Sequence, residues 1–258
     1  MNISSDESPF AFEPPPAEPA GFTWRGRDVL LITVGILIIL MVGSVILVFG
    51  LRISPTGLSL TGSTGLLVSL SSVLLEAVAI ITSVYLVGLA RLGQTWEAAG
   101  LRQVSRPWLL GALALAALVI PLSGAAAAAI QALLGLPPNN PQLPYLVPDG
   151  FSWFGLISMT LLGGLVVPFA EELFFRGVLF GWLRARWSFW PSAILSGLVF
   201  GVLHGDIAVG GAAALLGILL AWVYEHSRSL WPAVLVHAVN NSFKIVLLYA
   251  LIATGVKL

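Results

Sequence analysis

FGLISMTLLGGLVVPFAEELFFRGVLFGWL, Phe154 to Leu183, decides how this chain must be built. As one helix its 30 residues would make a rod of roughly 45 Å, longer than the ~30 Å hydrocarbon core of a bilayer. The stretch is apolar except for Glu171, Glu172 and Arg176. Pro168 in its middle lacks an amide N–H and predicts a kink. Each charge at mid-membrane costs at least ~2.5–3.5 kcal/mol. Three of them within six residues require a structural partner or a task.

The same reading extends outward. Further apolar stretches run near Val29–Leu51, Leu66–Ala90, Trp108–Leu134, Trp190–Leu203, Val209–Tyr224 and Trp231–Thr254. All are long enough, or nearly so, to span; Trp190–Leu203 is short, and its far end is expected to stop inside the protein. The chain is 58% hydrophobic and 9% charged, with a mean hydropathy of +0.97, against about 25% charged residues in soluble domains. The fold class that follows is an all-α polytopic membrane bundle of about seven transmembrane helices. No fixed-period repeat and no soluble domain is visible.

Composition also excludes partners and chemistries. A formal net charge of zero argues against a nucleic-acid partner, because phosphate binding needs a basic surface. There is no cysteine, so neither a thiolate nucleophile nor a cysteine-ligated metal is available. Residues 1–27 are proline-rich and acidic, lack the basic-then-apolar pattern of a secretory signal, and read as a disordered tail. With the N-terminus cytoplasmic, Arg25, Arg27, Arg91, Arg102, Arg106, Arg184, Arg186 and Arg228 fall inside, against Arg52 and Lys257 outside. That is the asymmetry the positive-inside rule requires.

Most ionisable groups within the spans lie after residue 170: Glu171, Glu172, Arg176, His204, His237 and Lys244, with Glu76 apart on the second span. The first three spans therefore read mainly as shell. Glu172 and Arg176 are i,i+4 on one helical face and can pair. Glu171 sits about 100° away around the helix and is left without a local counter-charge, the setting of a general base. Phe200 and His204 are also i,i+4, as are His237 and Asn241, with Asn240 on another face. Counted from Arg186 and Phe189 as inner ends, Glu171 and His204 each lie roughly 22 Å deep. His204 is thus the expected partner of Glu171. Lone intramembrane His or Asn residues most often serve as interhelical glue, and Glu76 taken alone reads as structural. Four costly groups on three helices (Glu171, His204, His237, Asn241) exceed what packing needs.

These residues resemble a known family. EELFFR matches EExxxR, FGVLH matches FxxxH and HAVNN matches HxxxN, in the order used by the CAAX-protease and bacteriocin-processing (CPBP, or abortive-infection) family of intramembrane proteases. The resemblance covers residues 151–258; residues 28–150 match only as generic transmembrane helices. It implies an endopeptidase in which Glu171 and His204 activate water. His237 and Asn241 would stabilise the tetrahedral oxyanion, and Glu172, Arg176 and Phe200 would brace the site. The implied mechanism needs no cofactor; the alternative is a zinc ion held by Glu171, His204 and His237 with an open position. The implied partners are the bilayer and a peptide or membrane-protein substrate, lipid-modified or not, in a prokaryotic cell membrane.

Two rival readings remain at this point. Buried Glu and His also mark proton-coupled transporters, although no matching pair of Gly/Pro-broken helices is present. A catalytically silent scaffold or immunity protein of the same fold is the other, although every motif position is filled.

Overall fold

A computed structural model of the chain describes residues 22–50, 63–138 and 140–255. Residues 1–21 of the expected tail, together with Arg52 and Lys257, lie outside them. Among the described residues there is no strand. Helix α1 is Gly26–Gly50. Helix α2, Ser63–Thr82, continues without a break through a π-turn at Ser83–Leu89 and a 3-10 turn at Ala90–Leu92. Then come α3 (Arg106–Leu134), the short α4 (Leu143–Leu146), α5 (Trp153–Arg184), α6 (Phe189–Val202), α7 (Ile207–Ser227) and α8 (Leu230–Ala253).

Six of these are long and apolar enough to cross a membrane, and α6 is the short seventh. The polytopic helical membrane bundle expected from composition is therefore the fold. The spans end where backbone groups find partners, because an unpaired N–H or C=O in hydrocarbon costs several kcal/mol. The Asp206 carboxylate accepts from the Ala208 and Val209 amides at the start of α7. The Ser229 hydroxyl accepts from the Trp231 amide at the start of α8. At the end of α3 the left-handed conformation falls on Gly135 (φ 62°), where the missing Cβ makes it free of strain.

The arginines placed inside by charge asymmetry gather at one end. Arg91 pairs with the buried Asp28, tying the end of α2 to the start of α1. Arg184 pairs with Glu225 at 2.9 Å, and Arg186 donates to the Trp24 carbonyl at 3.2 Å. Trp24, inside the segment read as tail, is 2% exposed and donates its indole N–H to the Gly177 carbonyl at 2.8 Å.

Helix α5 is not a simple kinked rod. Pro168 lies between two π segments, Leu162–Val166 and Leu173–Phe180. A π-turn is a wide, costly turn that recurs at functional sites. In the second segment two carbonyls take donors from outside the helix: Gly177 from Trp24 and Phe175 from the Ser196 hydroxyl at 3.2 Å. The proline is thus flanked on both sides by π segments, which the sequence alone did not announce.

The Gly/Ala-rich α7 packs closely on α6, as its small residues require. A Cβ on Gly197 would lie 2.8 Å from both the Ala214 carbonyl and Ile218 Cγ1. Gly197→Ala is therefore expected to cost about 1–3 kcal/mol by overpacking, read as a lowered unfolding midpoint in detergent. An unchanged midpoint would show that the two backbones can separate without loss.

Candidate active site

The charges on α5 divide as their spacing requires. Arg176 Nη1 donates to Glu172 Oε1 at 2.8 Å, both side chains being fully buried. Its Nη2 donates to the Gly217 carbonyl on α7 at 3.2 Å. That reach depends on the glycine, since a Cβ there would sit 3.2 Å from Nη2. The guanidinium carbon also lies 4.8 Å from the centre of the Phe200 ring, adding a cation–π contact where no water competes. One cation is thus held by a carboxylate, a carbonyl and an aromatic face from three helices.

Glu172 has a second partner. His237 Nδ1 donates to the same Oε1 at 2.8 Å, which turns the imidazole so that Nε2 lies 3.6 Å from Glu171 Oε2. Asn241 Nδ2 is 3.4 Å from that Nε2. His237 is 1% exposed and stands edge-on to Phe200 at 5.6 Å between centroids. The imidazole nearest Glu171 is accordingly that of His237, and the expected Glu171–His204 pair does not form a direct contact. Depth along separate helices equalises heights only; rotation about each helix axis decides which ring faces the carboxylate.

His204 lies just past the end of α6. Its Nδ1 donates to the Phe200 carbonyl at 2.9 Å and its ring stands edge-on to Phe200 at 4.7 Å. With Nδ1 carrying the proton, the neutral ring leaves a lone pair on Nε2, which has no hydrogen-bond partner among the described residues. Phe200 is therefore a wedge between both histidines and Arg176, which its sequence spacing to His204 alone did not disclose.

Glu171, Phe200, His204 and Asn241 line one cavity of about 700 Å³. It is also lined by Leu37 of α1, Glu76 of α2 and Leu146 of α4. The first two spans are thus walls of the site as well as shell, and Glu76 opens on the same space as Glu171. Lys244 is exposed and is not among the residues that line it. Among the described residues no group of three His, Asp or Glu side chains is gathered as a metal site requires.

Residues 153–243 match the family of type II CAAX prenyl endopeptidase Rce1-like proteins, so the resemblance carried by the three motifs holds over that segment. The chain is 26% identical over 89 residues to the putative membrane peptidase YdiL of Bacillus subtilis, covering 34% of this chain and 36% of that protein. It is 29% identical over 142 residues to an uncharacterised 24.3 kDa protein of Escherichia coli, covering 53% of this chain and 61% of that one. The chain thus spans about a third and about three fifths of these relatives. No solved structure matches it significantly.

Proposed function

We propose that this integral membrane protein is a CAAX-protease-like endopeptidase in which Glu171 and His204 activate water. The observation that carries the reading is the shared cavity: Glu171, His204 and Asn241 open on one space, while the Glu172–Arg176 pair is sealed behind it. The likeness of residues 153–243 to Rce1-like endopeptidases supports it.

In this reading a water in the cavity loses a proton to Glu171 as its oxygen attacks the scissile carbonyl, and the His204 Nε2 lone pair orients that water. The tetrahedral oxyanion is met by the Asn241 amide N–H groups, which the His237 Nε2 lone pair faces at 3.4 Å; such a donor is worth several kcal/mol of barrier. The proton held by Glu171 then passes to the leaving amine nitrogen as the C–N bond breaks. The substrate is a peptide or a membrane-protein segment, with or without a lipid, and the bacterial relatives favour a prokaryotic cell membrane as the setting.

No step here is routed through a metal. Peptide turnover is expected to survive exhaustive chelation, with no stoichiometric zinc in the purified protein; loss of turnover restored by added zinc would reverse this. The protein purified in detergent should cleave internally quenched peptides with no ion gradient, as a transporter would not. Absence of cleavage across a diverse peptide library, with identical membrane-protein fragments in cells carrying the intact and Glu171→Gln forms, would overturn the protease reading.

A further inference from the structure

Asn241 can serve an oxyanion only if its amide nitrogen, and not its oxygen, faces the cavity, and nothing in the HAVNN motif fixes that choice. A side-chain amide is nearly symmetric in shape, so its direction is set by what its oxygen and nitrogen bond. Here the Asn241 Oδ1 is occupied: Asn240 Nδ2 donates to it at 3.0 Å. Asn240 in turn is 1% exposed and directs its own Oδ1 across to α3, where the Ser123 hydroxyl lies 3.1 Å away. A carbonyl oxygen must accept, so the serine must donate. Ser123 Oγ is also 3.1 Å from the Ile120 carbonyl, leaving its single proton divided between the two acceptors.

We infer that Ser123 and Asn240 are positioning residues which, through one polarised chain of hydrogen bonds, hold the Asn241 amide N–H groups toward His237 and the cavity. The chain runs Ser123 to Asn240 to Asn241 to His237 and ends on Glu172. Every donor in it points the same way, so reversing one amide reverses the rest. Neither Ser123 nor Asn240 needs to touch substrate. Both sit outside the three motifs, and Ser123 belongs to a helix that composition marks as shell. The inference rests on the protease reading only for its catalytic consequence; the orientation itself does not.

The substitutions separate direction from packing. Asn240→Asp keeps the shape but cannot donate, so Asn241 must turn its N–H groups toward Asp and present its oxygen to the cavity. The expected result is a fall in kcat of about 10²–10³-fold, the loss typical of one oxyanion donor, with KM little changed. Ser123→Ala removes the first donor and should lower kcat by about tenfold, since one lost neutral hydrogen bond of ~1.4 kcal/mol corresponds to that factor. Ser123→Thr, which keeps the hydroxyl, should restore it. A defect in Ser123→Ala that Ser123→Thr fails to rescue, or no defect while Glu171→Gln is inactive, would overturn the chain.

A second readout does not depend on activity. The protein has three histidines, whose ring nitrogens can be assigned by 15N NMR from His→Gln variants. The His237 Nε2 resonance should move in Ser123→Ala, although that residue lies on another helix, and return in Ser123→Thr. An Nε2 resonance unmoved by Ser123→Ala would overturn the inference whether or not the chain cleaves peptides. If Glu171→Gln kept full turnover while this resonance moved as expected, the mechanism would fall and the positioning chain would stand.

Discussion

Glu171→Gln should abolish peptide cleavage while leaving the protein folded in the membrane. Glutamine keeps the size and the hydrogen-bonding reach of glutamate but cannot take a proton from water. General-base contributions are typically 10²–10⁴-fold, and turnover should fall by at least that much if water attack is limiting. Stability should not suffer. Glu171 is adjacent in sequence to a second buried carboxylate and opens on the same cavity as Glu76, so the substitution removes a like charge instead of breaking an ion pair. Turnover of internally quenched peptides and the unfolding midpoint in detergent measure the two quantities together. His204→Ala should lose turnover in the same way, because it deletes the lone pair facing the cavity. Undiminished cleavage in either variant would remove that residue from the mechanism.

The opposite pattern is expected one residue further on. Glu172→Gln leaves the fully buried Arg176 without its carboxylate, and removing one partner of a buried pair costs about 3–5 kcal/mol. Glutamine can still accept from Arg176 or from His237, but as a neutral group it cannot balance the Arg176 charge. At roughly 2–4 °C per kcal/mol for a chain of this size, the unfolding midpoint should fall by on the order of 10 °C. Activity should fall as well, because His237 loses the bond that turns Nε2 toward Glu171. The double variant Glu172→Gln with Arg176→Met removes both charges together and should recover most of the lost stability, as replacing an entire buried pair often does. It should not recover turnover. A double variant as unstable as Glu172→Gln alone would show that the pair serves packing and not charge balance. Arg176→Lys tests the same clamp from the other side, since an ammonium cannot span Glu172 Oε1 and the Gly217 carbonyl together.

Those two neighbouring glutamates also show what can be read from the chain alone. Bilayer thickness and backbone satisfaction leave a long apolar chain little choice but a helical bundle, and the spans fell within a few residues of their expected limits. The Glu172–Arg176 pair was equally legible, because residues four apart on a helix are neighbours whatever surrounds them. So was the separate standing of Glu171.

Contacts between helices were not legible in the same way. Whether Glu171 faces His204 or His237 depends on how each helix is rotated about its axis, and equal depth carries no information about rotation. The two π segments flanking Pro168 change that rotation within α5, and no residue pattern announces them. Ser123 stands between Leu122 and Gly124 on a stretch, Trp108–Leu134, with no ionisable group, so its bond to Asn240 becomes visible only once α3 is packed against α8. By itself the sequence determined the bundle, its helices and every pairing set by helical periodicity, because those interactions are local. Tertiary structure alone decided which imidazole stands beside Glu171 and which way the Asn241 amide points, because both depend on the rotation and packing of separate helices.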